Sequence, residues 1–311
     1  MKYALALQQT ITNKQNRTFP DARDPRARNG ALFPAHAPKF PIEFGPGHTV
    51  FTIGSCFARN IEEALENRGV NLPTRSFGVP KSEWPNRPNG ILNEFNPGAI
   101  AQRILYALAG KEFTDETIVP SGELFADLLL PGGGDVTLER ARERREHIAD
   151  VYRSLGNSDV VIITLGFVES WFDGQTGLFL NRPPPHAFGS KAGDRYSLRR
   201  LRVEDSMPLL DAAVCALGER GIRSVVTVSP VPLSTTFSAD DCVVANEYSK
   251  SVLRVCAENL RRHPLVDYFP SYEIVRSCGL PAYEDDCVHV REDLVAQIVE
   301  YMVSSYQGLH C

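Results

Sequence analysis

Apolar residues fall along the chain in two alternating patterns. Short, nearly unbroken apolar runs occur at residues 49–53, 159–165, 222–228 and 266–269. Runs of this kind mark strands covered on both faces, as in a parallel sheet. Between them, apolar positions recur three and four apart, the spacing of one helical face. Phe57, Ile61, Ala64 and Leu65 form one such set, and Ile100, Ile104, Leu105 and Leu108 another. Residues 137–155, 203–218, 241–262 and 291–306 continue the helical pattern. Strands alternating with helices predict an α/β fold: a three-layer α/β/α sandwich around a mainly parallel central sheet.

Other stretches fall outside this rhythm. Residues 1–48, rich in Pro, Asn and Arg, predict an irregular N-terminal arm that wraps the surface, against the domain or a partner subunit. A single domain over residues 49–306 is expected, with insertions at about 72–150 and 172–200. Pro73 to Pro97 is a long loop whose Phe77, Trp84, Ile91, Leu92 and Phe95 need burial, so it is ordered. Asn96 and Pro97 then open a helix, Asn as cap and Pro at its first position. Residues 117–119 and 124–130 read as strand pieces, closed by a flexible turn at Gly132-Gly133-Gly134. In the helix that follows, Arg140, Arg142, Arg144 and Arg145 alternate with Glu139, Glu143 and Glu146, which predicts a salt-bridged, exposed face.

Composition narrows the function classes. With 43 % hydrophobic and 23 % charged residues, the 311-residue chain is an ordinary globule with an ample core. Its formal net charge of -5, with no basic tail, argues against a nucleic-acid surface. Seven scattered cysteines without a Cys-x-x-Cys pair suit reduced thiols in the cytoplasm. No apolar run reaches the ~20 residues of a membrane span, and the initial one is too short for a signal-peptide core. No His/Asp/Glu set has ligand spacing, so neither a metal nor another cofactor is expected.

Candidate chemistry sits where the first strand meets the first helix. Gly54-Ser55 at that corner lifts a hydroxyl to the carboxyl edge of the sheet, beside the free N–H groups of a new helix. The same residues also read as an ordinary helix cap. Near the end of the chain, Asp286 precedes His289 by three residues. Ser, His and Asp together have the logic of nucleophile, base and orienter. Cys56, one position inside the helix, is the rival nucleophile if it ionises.

Gly54-Ser55-Cys56-Phe57-Ala58 resembles the signature of the GSCFA family, within the SGNH (GDSL-like) hydrolase superfamily. Similar blocks follow at Asn96–Ile100, Ile163–Trp171, Thr227–Leu233 and Tyr268–Ile274, so the likeness runs over nearly the whole chain. It implies a serine esterase or O-acyltransferase with Ser55 as nucleophile, His289 as base and Asp286, rather than Asp285, as orienter. Oxyanion donors are expected from the Ser55 N–H, Gly166 and Asn96. The superfamily's Gly-x-Asn block is absent here, where Gly166 is followed by Phe167, Val168 and Glu169. Glu169, Trp171 and His186 are expected to line the substrate pocket. The partner implied is an O-acylated glycan or small metabolite, and a homo-oligomer is compatible with the arm. The alternative is a non-catalytic glycan- or partner-binding module that keeps the hydrolase fold.

Overall fold

Residues 2–85, 87–132 and 134–308 are described in the computed structural model; Gly133, in the expected glycine turn, and Cys311 lie outside them. Helix α1 (Tyr3–Thr12) leads into an arm carrying a small ribbon, β1 (Ala27–Arg28) and β2 (Ala31–Leu32). Strand β3 (Val50–Gly54) feeds α2 (Cys56–Glu66), and a long loop reaches α3 (Pro97–Leu108). There follow β4 (Ile118–Ser121), β5 (Leu124–Asp127), α4 (Leu138–Arg153), β6 (Val160–Leu165), β7 (Glu169–Asp173) and β8 (Leu178–Leu180). The chain continues through α5 (His186–Gly189), β9 (Tyr196–Arg200), α6 (Val203–Gly218), β10 (Arg223–Val228) and α7 (Cys242–Leu260). It ends with β11 (Val266–Tyr268), α8 (Ser271–Cys278) and α9 (Glu292–Tyr306).

Four of these strands form the central sheet, in the order β11-β10-β6-β3, all parallel. The β-branched and aromatic runs explain it, because alternate side chains face opposite layers. Phe51, Ile53, Val161, Ile163, Val226 and Val228 meet α3, α4, α6 and α7 on one face. Val50, Val160, Ile162 and Val225 meet α2, α8 and α9 on the other. The fold is therefore an α/β/α sandwich with a parallel centre. Among the described residues no helix is long and apolar enough to cross a membrane.

The arm is more than a wrapping. Phe33, Ile42 and Phe44 are buried in the α2/α9 layer. Fully buried Asp267 on β11 pins the arm, accepting from the Lys39 N–H at 3.3 Å, with His36 Nε2 3.4 Å away. Burial pushes the His36 imidazole below its ordinary pKa, against the pull of Asp267. The arm also contains α1, whose residues are not buried.

Strands outside the central sheet build a satellite layer over α3. Hairpin β4–β5 and the antiparallel sheet β8-β7-β9 share a small core of Val119, Ala126, Leu128, Leu129, Leu178 and Leu180. The expected exposed face of α4 is partly inward. Arg145 pairs with buried Asp127 at 2.7 Å, and buried Arg144 lies 3.5 Å from Glu83. Carboxylates off the helix, invisible to a spacing argument, draw these side chains in.

The strand-to-helix corner depends on one glycine. Gly54 adopts φ 129°, and a Cβ there would lie 2.0 Å from the Thr164 backbone oxygen. Gly54→Ala is expected to cost about 2–6 kcal/mol, from positive φ and overpacking together. Urea unfolding checks this; an unchanged midpoint would show that the corner relaxes freely.

Candidate active site

Parallel strands deliver their carboxyl ends to one edge, and Ser55 stands there directly after β3. It caps α2, its Oγ accepting from the Phe57 N–H at 3.3 Å. The same oxygen shares a 3.3 Å hydrogen bond with Thr164 Oγ1 on β6. The Ser55 N–H donates to the Thr164 carbonyl at 3.1 Å, so β6 grips both backbone and side chain. Ser55 is only 3 % exposed. Burial at a helix head concentrates the dipole's positive end on that hydroxyl.

Asp286 and His289 are joined on the loop before α9. Asp286 Oδ1 accepts from the Val288 and His289 N–H groups, both at 2.9 Å, and Oδ2 lies 2.5 Å from His289 Nδ1. Cys287 at φ 56° makes the tight turn that folds the imidazole back onto its own carboxylate. The His289 side chain, with the other Asp286 bonds, holds Asp286 down at a pKa of about 2. The imidazole is 67 % exposed and lines a cavity of about 530 Å³ with Asn60, Ala64, Arg87 and Val295. Asn60 is five residues past Ser55, which is ~7.5 Å along the α2 axis. The pair therefore flanks the helix that Ser55 caps, while the hydroxyl's own partners are Thr164 and Phe57.

The expected oxyanion donors also make structural hydrogen bonds. The Ser55 N–H goes to Thr164, and the Gly166 N–H to the Phe95 carbonyl at 3.1 Å. Asn96 Oδ1 caps α3 through the Ala99 N–H at 2.8 Å, and its Nδ2 donates to the Leu180 carbonyl at 3.2 Å. The N–H of Cys56, first in α2, lacks an intrahelical acceptor by position and is the donor the geometry leaves. Burial pushes the Cys56 thiol up, which disfavours a thiolate there.

The expected pocket residues also take other roles. Glu169 accepts from Thr236 Oγ1 at 2.5 Å and the Phe237 N–H at 2.7 Å, anchoring the loop after β10 to β7. Trp171 packs edge-on against Phe237, their centroids 5.4 Å apart. His186 is exposed at the start of α5, which packs on β4.

The profile of the GSCFA family matches residues 49–302, most of the chain, including the corner and the Asp286–His289 pair. The chain belongs to the GSCFA family. Three solved structures are similar to it at low identity. A protein described as a GDSL-like lipase from Parabacteroides merdae shares 14 % identity at a TM-score of 0.35, covering 87 % of this chain and 100 % of its own. A carbohydrate esterase family 3 protein from Talaromyces cellulolyticus shares 12 % identity at 0.39, covering 85 % and 100 %. A mutant acetyl esterase with an acetate ion shares 12 % at 0.37, again covering 85 % and 100 %. No curated protein matches the chain.

Two features of this GSCFA protein escaped the sequence reading. One is Lys250, fully buried on α7, which donates to the carbonyls of Gly166 and Val231, both at 2.7 Å. The other is a convergence of Asp211, Cys215 and His263, the one set of ligand-type side chains among the described residues close enough to hold a metal ion. His263 Nε2 lies 2.7 Å from Asp211 and Nδ1 3.9 Å from Cys215 Sγ. Opposite ring nitrogens thus face the two partners, and Arg262 also reaches Asp211 at 3.4 Å. The set is built as a hydrogen-bonded chain rather than a chelate.

Removing the imidazole tests the Asp286–His289 pair. His289→Ala should raise the Asp286 pKa from about 2 toward 3.8, read by carboxyl NMR titration. An unmoved titration would show that the loop's N–H groups alone hold the carboxylate.

Proposed function

We propose that this GSCFA protein is a serine-dependent acyl-ester hydrolase or O-acyltransferase. Ser55 attacks the acyl carbonyl, and His289 takes its proton through Nε2. Asp286 holds the imidazole through Nδ1 and balances the imidazolium that forms. The tetrahedral oxyanion is met at the head of α2, by the Cys56 N–H and the helix dipole. On collapse the His289 imidazolium returns the proton to the leaving oxygen, which releases the alcohol and leaves an acyl-Ser55 that water or an acceptor hydroxyl then resolves. An O-acetylated glycan or small metabolite, met in the cytoplasm, is the substrate class we infer.

The observation that carries this reading is the pairing of a buried, helix-capping Ser55 with an Asp286–His289 couple on the flank of the same helix. Attack requires the loop carrying His289 to close on the corner, replacing Thr164 as the hydroxyl's partner. A second reading rests on the arrangement as it stands: Ser55 bonded to Thr164 and His289 turned to solvent suit a binding module that keeps the fold without turnover.

A fluorophosphonate probe separates the two. It should label Ser55 in wild type and leave folded Ser55→Ala unlabelled, and His289→Ala should slow labelling by about 10³-fold or more. Folded wild type that resists the probe would favour the binding module. Turnover of acetyl esters should fall with both variants and less with Asp286→Asn.

A further inference from the structure

A buried ammonium is costly unless other dipoles replace its lost water. Lys250, 1 % exposed, has two such dipoles, the carbonyls of Gly166 and Val231. Gly166 directly follows β6 and Val231 lies just past β10, so one side chain ties the carboxyl ends of two neighbouring strands. Two of its three N–H donors are thereby used. The charges and titratable groups that act on it are Cys56, at the head of α2, and Glu247 on its own helix. Arg87 acts on Cys56 as well. Gly166 is two residues past Thr164, whose oxygens hold Ser55. The ammonium therefore stands among the elements that build the Ser55 corner, and its hydrogen-bond partners among the described residues are both carbonyls.

Carbonyl oxygens at a sheet's edge carry partial negative charge and oppose an oxyanion formed beside them. A cation bonded to both carbonyls reverses the sign of that local potential. The Ser55 and Gly166 N–H groups are bonded to backbone carbonyls, so the edge needs positive charge from another source. We propose that Lys250 is a positioning residue of this edge. It clamps the Gly166 and Val231 loops, and its charge makes the head of α2 positive where the Ser55 oxyanion forms. The lysine makes no bond to the acyl group and takes no part in the proton transfers.

This inference rests on the acyl-serine reading and adds a pH signature to it. Burial brings the Lys250 pKa down to about 7. General-base catalysis gains as pH rises, but above neutrality the ammonium is lost and the edge with it. Ser55 phosphonylation by a fluorophosphonate, followed from pH 5.5 to 9.5, should rise and then fall in wild type. Lys250→Arg, charged at every pH, should keep the rise and lose the alkaline fall. Lys250→Met should label about 10²-fold more slowly, the loss typical of one oxyanion group. Wild-type rate and profile in Lys250→Met would overturn the proposal, as would an alkaline fall kept in Lys250→Arg; the second comparison stands even if the Met variant does not fold.

A second measurement needs no turnover. Alkylation of Cys56 by iodoacetamide, mapped by mass spectrometry across pH, reports the potential at the head of α2. Its midpoint should lie about one pH unit or more lower in Lys250→Arg than in Lys250→Met. Equal midpoints would overturn the proposal whether or not Ser55 reacts. If the midpoints differ while wild-type Ser55 resists the probe, the field is real and the acyl-serine reading alone fails.

Discussion

Everything at the candidate site depends on how closely β3 can approach β6. At Gly54 the backbone comes so near Thr164 that any side chain would collide with the carbonyl. The absence of a Cβ lets Thr164 hold the Ser55 N–H and hydroxyl together, and α2 starts at the next residue. A hydroxyl, a helix head and the end of the central strand therefore coincide. The packing of the core fixes them, since β3 and β6 are buried along their whole lengths. Chemistry at this edge inherits the rigidity of the sheet.

Electrostatics adds what packing cannot. The edge is poor in obvious donors, because the peptide N–H groups of Ser55 and Gly166 already serve structure. Its positive character comes from the α2 dipole and from a lysine desolvated between two carbonyls. His289, the base of the proposed mechanism, stands apart on an exposed loop, held to the Asp286 carboxylate within a single turn. In the proposed reaction, a buried corner on the sheet and an exposed imidazole on a loop would divide the labour, an arrangement common where loops stand on a firm scaffold.

The sandwich was legible because burial on both faces leaves its mark as apolar runs. Residues 160–165 and 223–228 are strands within a residue of where the runs fall. The Gly54-Ser55 corner and the Asp286–His289 spacing were legible for the same local reason. Features that depend on distant partners were not. Asn96 illustrates this: the Asn-Pro pair announces the cap made by its Oδ1, but not the Leu180 carbonyl from the satellite sheet that takes an N–H of its Nδ2. Glu169 and Trp171 follow the central strand in sequence, yet they continue into β7 and hold a loop from beyond β10. Lys250 sits on an amphipathic helix where its charge reads as a solvated position. Only the folded chain reveals the two carbonyls that take it inside.

The central claim is that the Ser55 hydroxyl and the His289 imidazole act on one acyl group. A crystal structure of the protein phosphonylated at Ser55 measures this most directly. His289 Nε2 is expected within about 3.2 Å of the adduct's oxygens or Ser55 Oγ, its bond to Asp286 intact. An adduct on Ser55 with His289 still out in its groove beside Asn60 and Val295 would contradict it.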